Sequence, residues 1–175
     1  MTLAEFNAMP ADQARAGMMK CCGSSRWADA MVAARPFASM RDLHAAATAK
    51  WNALETADFL EAFAHHPRIG DIASLRDKFA AKGASTSTWA SDEQKGTASA
   101  SDTTLARLAQ GNKDYEAKFG HIFLVCATGK SADEMLRILE SRMGNTPHEE
   151  MRIAAGEQAK ITSLRIDKLF SPSEG

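Results

Sequence analysis

Apolar residues recur at three- and four-residue intervals along most of the chain, the spacing that stacks side chains on one face of an α-helix. Thr2 and Glu5 form a capping-box pair for a short first helix, which Pro10 closes. A second helix then runs to about residue 22 and stops at Gly23. Ser24 or Ser25 caps a third, with Trp27, Met31 and Ala34 on one face before Pro36 ends it. Ser39 opens a fourth, carrying Met40, Leu43, Ala46 or Ala47, Trp51 and Leu54 at helical spacing. Thr56 caps a fifth, in which Phe59 and Phe63 are four apart and point the same way.

The second half of the chain repeats the pattern with stronger punctuation. Ser101 and Asp102 precede Leu105, Leu108, Tyr115 and Phe119, an amphipathic helix of about 18 residues closed by Gly120. Ser131 with Glu134 is a second capping box, followed by Leu136 and Leu139, and Asn145 is the expected left-handed C-cap. Thr146, Pro147 and Glu149 supply cap, first-turn proline and box residue for a last helix. Its expected apolar face is Met151, Ala154, Ile161, Leu164 and Leu169.

Three stretches break the helical pattern. Residues 65–71 contain Pro67 and Gly70 and read as a loop. Residues 83–101 are rich in small polar side chains and read by composition as a linker. Residues 121–127 are rich in apolar and β-branched residues but have no obvious partner strand, so an extended segment crossing the core is expected near 121–128. The predicted fold is therefore all-α: a single-domain helical bundle spanning 1–175, with seven to nine helices and no internal repeat.

Composition narrows the function more than the fold. Apolar residues make up 45% and charged residues 25%, enough for a packed core and wrong for a disordered chain. A net charge of -1 lacks the basic footprint that phosphate backbones require, so no nucleic-acid partner is expected. The longest apolar run, Ile122 to Ala127, is far short of the roughly 20 residues that span a bilayer, and no membrane partner is expected. Glu5 and Asp12 stand where a signal peptide would carry basic and then apolar residues. Three cysteines, two of them adjacent, form no disulfide framework and suit a reducing compartment, so the expected location is the cytoplasm.

Candidate chemistry centres on His66-Pro67. Proline disfavours helical geometry at the preceding residue, so the imidazole sits on a stiff turn, and histidine exchanges protons near neutral pH. The competing reading is that His65 and His66 merely finish a helix at its negative end. Glu93 and Gln94, near Trp89, pair a carboxylate with an amide; equally, Ser91 caps a short solvated helix there. Arg165 offers a forked donor for an anionic substrate, or is a surface charge. The five histidines show no HExxH pattern and no CxxC joins them, so no metal is expected. Cys126 lies in the most apolar segment, where thiols are inert. Residues 127–131 imitate a phosphate-binding loop, but Leu124 stands where its first glycine is required, which leaves Gly129 as a turn and Ser131 as a cap.

Taken in order, these pieces form one set: His66-Pro67-Arg68-Ile69-Gly70-Asp71, Glu93-Gln94, residues 112–118, residues 119–131, Glu157 to Ile161, and Leu164-Arg165-Ile166. The set closely resembles the OHCU (2-oxo-4-hydroxy-4-carboxy-5-ureidoimidazoline) decarboxylase family of urate breakdown, over nearly the whole chain. The resemblance implies a homodimeric all-α fold and a cofactor-free loss of CO2 from OHCU to give S-allantoin. It implies that His66 is the catalytic histidine with Glu93 beside it, and that Pro67 and Gln94 touch substrate. Val125, Cys126, Ala127, Thr128 and Gly129 correspond to the strip whose backbone holds the ring and ureido group, and Arg165 to the substrate-binding arginine. His121 departs from the family pattern, where many relatives carry an aromatic or aliphatic residue.

No cofactor is expected, because the substrate supplies its own electron sink: its carboxylate sits on the carbon next to a ring C=N. Two alternatives stay open on sequence. One is a related lyase or hydrolase of the ureide pathway. The other is a non-catalytic helical interaction module, in which His66, Glu93 and Arg165 would be scattered rather than gathered.

Overall fold

The helix punctuation read above is realised in a computed structural model that describes residues 1–68 and 101–171. Among the described residues there are eight helices and no strand: α1 (Leu3–Ala8), α2 (Ala11–Cys21), α3 (Ser25–Ala33), α4 (Met40–Asn52), α5 (Thr56–Ala64), α6 (Asp102–Phe119), α7 (Ala132–Arg142) and α8 (Pro147–Phe170). Thr2 and Glu5 close a reciprocal capping box, as do Ser131 and Glu134, and Thr146 and Glu149. Ser24, Ser39 and Ser101 each accept a backbone N–H from the residue three places on, and Gly120 ends α6 in the left-handed conformation.

Three local expectations are corrected. Thr56 does not cap α5; the Asp58 carboxylate accepts the backbone N–H of Glu55 (3.0 Å), and Thr56 is the first helical residue. The cap of α7 is Met143 in right-handed geometry rather than Asn145, whose amide instead donates to Glu150 (2.9 Å). The buried face of α8 keeps Ala154 and Ile161 of the expected stripe but not its other members. It is Glu150, Ala154, Ala155, Gln158, Ile161, Thr162 and Ile166, while Met151, Leu164 and Leu169 are only half-buried. Glu150, Gln158 and Thr162 take places on that face because each finds a hydrogen-bond partner inside.

The chain divides into two compact units, Met1–His65 with Ala155–Gly175, and His66–Ala154. In the first, α3 packs on α2, α4 and α5. Trp27 and Trp51 are buried, and each indole N–H donates to a helix carbonyl, of Ala47 and of Ala155 respectively (both 3.0 Å). Glu61 of α5 receives both the backbone N–H (3.0 Å) and the hydroxyl (2.6 Å) of Ser25, satisfying the start of α3 from a neighbouring helix.

In the second unit α6 packs on α7, and Leu108, Tyr115, Met135, Leu136 and Leu139 form a core with Phe123, Val125 and Ala127. The last three alternate along the chain, the period of an extended segment, so residues 122–127 cross the core as expected without belonging to a sheet. Beneath them lies a buried ionic cluster. Glu150, fully buried, accepts from Arg142 Nε (2.6 Å), Tyr115 Oη (2.5 Å) and Asn145 Nδ2 (2.9 Å), and Arg142 Nη1 donates to the carbonyl of Leu124 (2.7 Å). The guanidinium also lies over the ring of Phe123, 4.8 Å from its centroid.

Burial alone pushes the Glu150 carboxyl up, but the bonds from Arg142, Tyr115 and Asn145 and the guanidinium charge outweigh it and hold the group below the ordinary carboxylate range. Its stabilising effect is therefore present above the unfolded value of about 4.3 and is lost as pH falls through the lower folded value. Glu150→Gln is expected to destabilise the protein at neutral pH by about 3–5 kcal/mol, the cost of leaving a buried charge unpaired. The acid side of its stability curve should also be shallower than that of the wild type. Thermal melts followed by circular dichroism from neutral to acid pH test this; equal neutral-pH melting temperatures would contradict it.

Candidate functional site

The fifth helix ends at His65, whose backbone N–H returns to the carbonyls of Ala62 and Phe63. His66 follows, with Pro67 denying it helical geometry, and both are half-buried. Arg68 then pairs with Glu116 of α6 (2.7 Å), an exposed bridge worth at most about 1 kcal/mol, which orients this stretch more than it stabilises it. His65 is itself held from the other side. A Cβ on Gly23 would lie 2.4 Å from His65 Cγ and 2.5 Å from its Cβ, so the close approach of the two residues depends on glycine.

The second element is the extended segment. Val125, Cys126 and Ala127 are buried, whereas Thr128 and Gly129 stand exposed at a tight turn closed by Lys130 N–H donating to Ala127 O (3.0 Å). Gly129 has a φ of 75°, a conformation that side chains disfavour. Lys130 Nζ folds back to donate to the carbonyl of Cys126 (2.8 Å). His121, at the start of the segment, is buried edge-on to Tyr115 (5.5 Å between centroids), and its Nδ1 lies 3.0 Å from the Ile122 carbonyl. Its neighbours are those of a core aromatic.

Arg165 is half-buried on α8, in the first unit, and its charge acts on the thiols of Cys21 and Cys22. Burial dominates there and pushes Cys21 up to about 12 and Cys22 up to about 11, so neither is a thiolate at neutral pH. The structure thus places His66, Pro67 and residues 125–129 in one unit and Arg165 in the other. Glu93 and Gln94 lie outside the described residues.

One unexpected constellation is a serine, a histidine and an aspartate. His44 Nε2 is 2.8 Å from Asp167 Oδ1, and Ser163 Oγ is 3.3 Å from His44 Nδ1. The cavity beside them holds about 20 Å³, room for one water and for no acyl substrate, so the triad ties α4 to α8. Among the described residues no group of three or more His, Cys, Asp and Glu side chains could hold a metal ion. Nor is any of their helices long and apolar enough to cross a membrane.

Sequence reading missed Arg142, Glu150 and Lys130. Arg142 and Glu150 sit in the last and first turns of consecutive helices, where basic and acidic residues usually just complement the helix dipole. The available signal was register: Glu150 lies four residues before Ala154, on its face of the helix.

Residues 7–167 match the family model described as OHCU decarboxylase. The chain belongs to the OHCU decarboxylase family. It is 40% identical over 153 residues to the uric acid degradation bifunctional protein TTL of Arabidopsis thaliana, covering 86% of this chain and 45% of that one. It thus spans about half the length of that relative. It is 31% identical over 149 residues to the 2-oxo-4-hydroxy-4-carboxy-5-ureidoimidazoline decarboxylase of Amia calva, covering 82% of this chain and 79% of the other. Among solved structures it is similar to an OHCU decarboxylase crystallised in the presence of (S)-allantoin. The TM-score is 0.70 at 37% identity, over 88% of this chain and 96% of that one. The helical fold of the described residues is that of the family.

The Gly23–His65 approach makes a prediction of its own. In Gly23→Ala the near end of the His65 side chain must give way, at an overpacking cost of about 1–3 kcal/mol. The displaced helix end carries His66 with it. The variant should melt lower and show shifted His66 ring resonances; unchanged melting and unchanged resonances would refute the coupling.

Proposed function

We propose that this member of the OHCU decarboxylase family converts OHCU to S-allantoin and CO2 in urate catabolism, with His66 as the general acid/base. The observation that supports the assignment most directly is the half-buried His66-Pro67 turn, set directly after a helix end, in a chain matched to the family along residues 7–167. The relative crystallised with (S)-allantoin supports the product.

The chemistry follows from the substrate. The bond between the carboxylate and the hydroxyl-bearing carbon breaks, CO2 leaves, and the electron pair moves into the adjacent C=N, whose nitrogen takes a proton. The hydroxyl carbon becomes the ring carbonyl as it gives up its proton, and the ureido-bearing carbon takes a proton on one face. The protein therefore has to orient the scissile bond and move protons at fixed positions, which is work for positioned side chains. In this reading His66 handles the proton, Glu93 orients or ionises it, and Pro67 aims the imidazole. Gln94, Arg165 and the backbone of Val125 to Gly129 hold the substrate and its developing charge. The reading extends to one domain, acting as a homodimer without a cofactor. Buried free cysteines favour a reducing location such as the cytoplasm.

His66→Ala is expected to lower kcat for S-allantoin formation by about 10²–10⁴-fold, the usual contribution of a positioned acid/base. Circular dichroism of fresh OHCU measures this above the slow racemic background, and a wild-type rate in the variant would overturn the assignment. In the same assay Glu93→Ala separates two roles. A lower kcat places Glu93 in proton handling, and a higher KM with kcat retained places it in binding.

A further inference from the structure

The extended segment carries two cationic contacts that the reaction itself does not require. Arg142 Nη1 donates to the carbonyl of Leu124 (2.7 Å), and Lys130 Nζ to the carbonyl of Cys126 (2.8 Å). In extended chain the carbonyls of residues two apart point to the same edge, and the peptide groups of the residue between them point to the other. Both cations therefore hold one edge of residues 124–126, and the N–H and C=O of Val125 lie on the opposite edge. Arg142 is itself immobilised by the buried carboxylate of Glu150. Lys130 closes the turn at Gly129, so its ammonium is carried back along the segment by the fold of the chain.

We infer that Lys130 and Arg142 are positioning residues. They brace one edge of the segment so that the opposite edge, with the donor and acceptor of Val125, is presented in fixed geometry to a planar urea or cyclic amide. Such a ligand offers a carbonyl and an N–H side by side, the complement of one residue's N–H and C=O. The inference rests on the functional reading above only for the identity of that ligand as OHCU. The brace itself stands on the described contacts. Its effect is on binding: an unbraced edge still folds but costs ordering free energy each time substrate binds.

Lys130 is the clean test, because it is half-buried while Arg142 is locked in the core. Lys130→Met should raise KM about tenfold with kcat within about twofold, and leave the melting temperature near that of the wild type. Lys130→Arg should restore KM, since a guanidinium can also donate to the carbonyl. Amide hydrogen exchange at Val125 and Ala127 should be faster in Lys130→Met than in the wild type without any ligand. Arg142→Lys, which keeps a charge against Glu150 but loses the fork, should shift KM the same way with a lower melting temperature.

A wild-type KM with unchanged exchange in Lys130→Met would overturn the brace. So would a KM defect that disappears at high ionic strength, which would make Lys130 a direct contact of the substrate anion. A wild-type protein that produced no S-allantoin would overturn the functional reading instead. The exchange experiment would still decide the brace.

Discussion

A fully buried carboxylate, that of Glu150, is the constraint on which the second unit depends. A charge removed from water is tolerated only when every lone pair is engaged, and here Arg142, Tyr115 and Asn145 supply the donors. Each donor belongs to a different stretch: Tyr115 to α6, Arg142 to the last turn of α7, and Asn145 to the connection before α8. Meeting the needs of one carboxylate thus fixes three pieces of chain around it. Burial and the bond to Glu150 also push the Tyr115 phenol up, so the hydroxyl stays a donor across the working pH range.

The cluster is not the main source of stability. Buried side chains such as Leu108, Tyr115 and Leu139 contribute about 1.5–3 kcal/mol each, whereas the attraction in a buried ion pair is largely offset by desolvation. What the ion pair adds is geometry. Arg142 spends one arm of its guanidinium on Glu150 and another on Leu124, so a packing requirement deep in the unit is converted into the register of the segment above it. The side chains of Phe123, Val125 and Ala127 anchor that segment in the core from one face.

Much of this was legible in the sequence, for reasons that can be named. Helix starts follow from single side chains bonding their own local backbone, so Thr2, Ser39, Ser101 and Ser131 announced them correctly. Segment 121–127 was legible because its composition disfavours helix while its apolarity demands burial. The polar interior was not. A glutamate in a first turn looks the same whether solvated or buried, and only the tertiary arrival of Arg142 and Tyr115 distinguishes the two. The same holds for Thr162, whose hydroxyl meets Cys22 at the end of α2, and for Gln158, which bonds to it one turn away on α8 (3.0 Å). For the candidate site, the position of His66 at a helix end was readable from Pro67. The setting of Arg165 against Cys21 and Cys22 was not, because it joins residues far apart in the chain.

The three buried thiols have a practical consequence. Cys21 and Cys22 lie in one unit and Cys126 in the other, and all three are buried. Alkylating reagents act on exposed thiolates, so in the folded protein burial shields these sulfurs. Labelling then becomes a clock for opening. Modification of the vicinal pair times exposure of the first unit, and modification of Cys126 times exposure of the second. Native residues alone can therefore show whether the two units unfold together or in succession, with no dye or tag added.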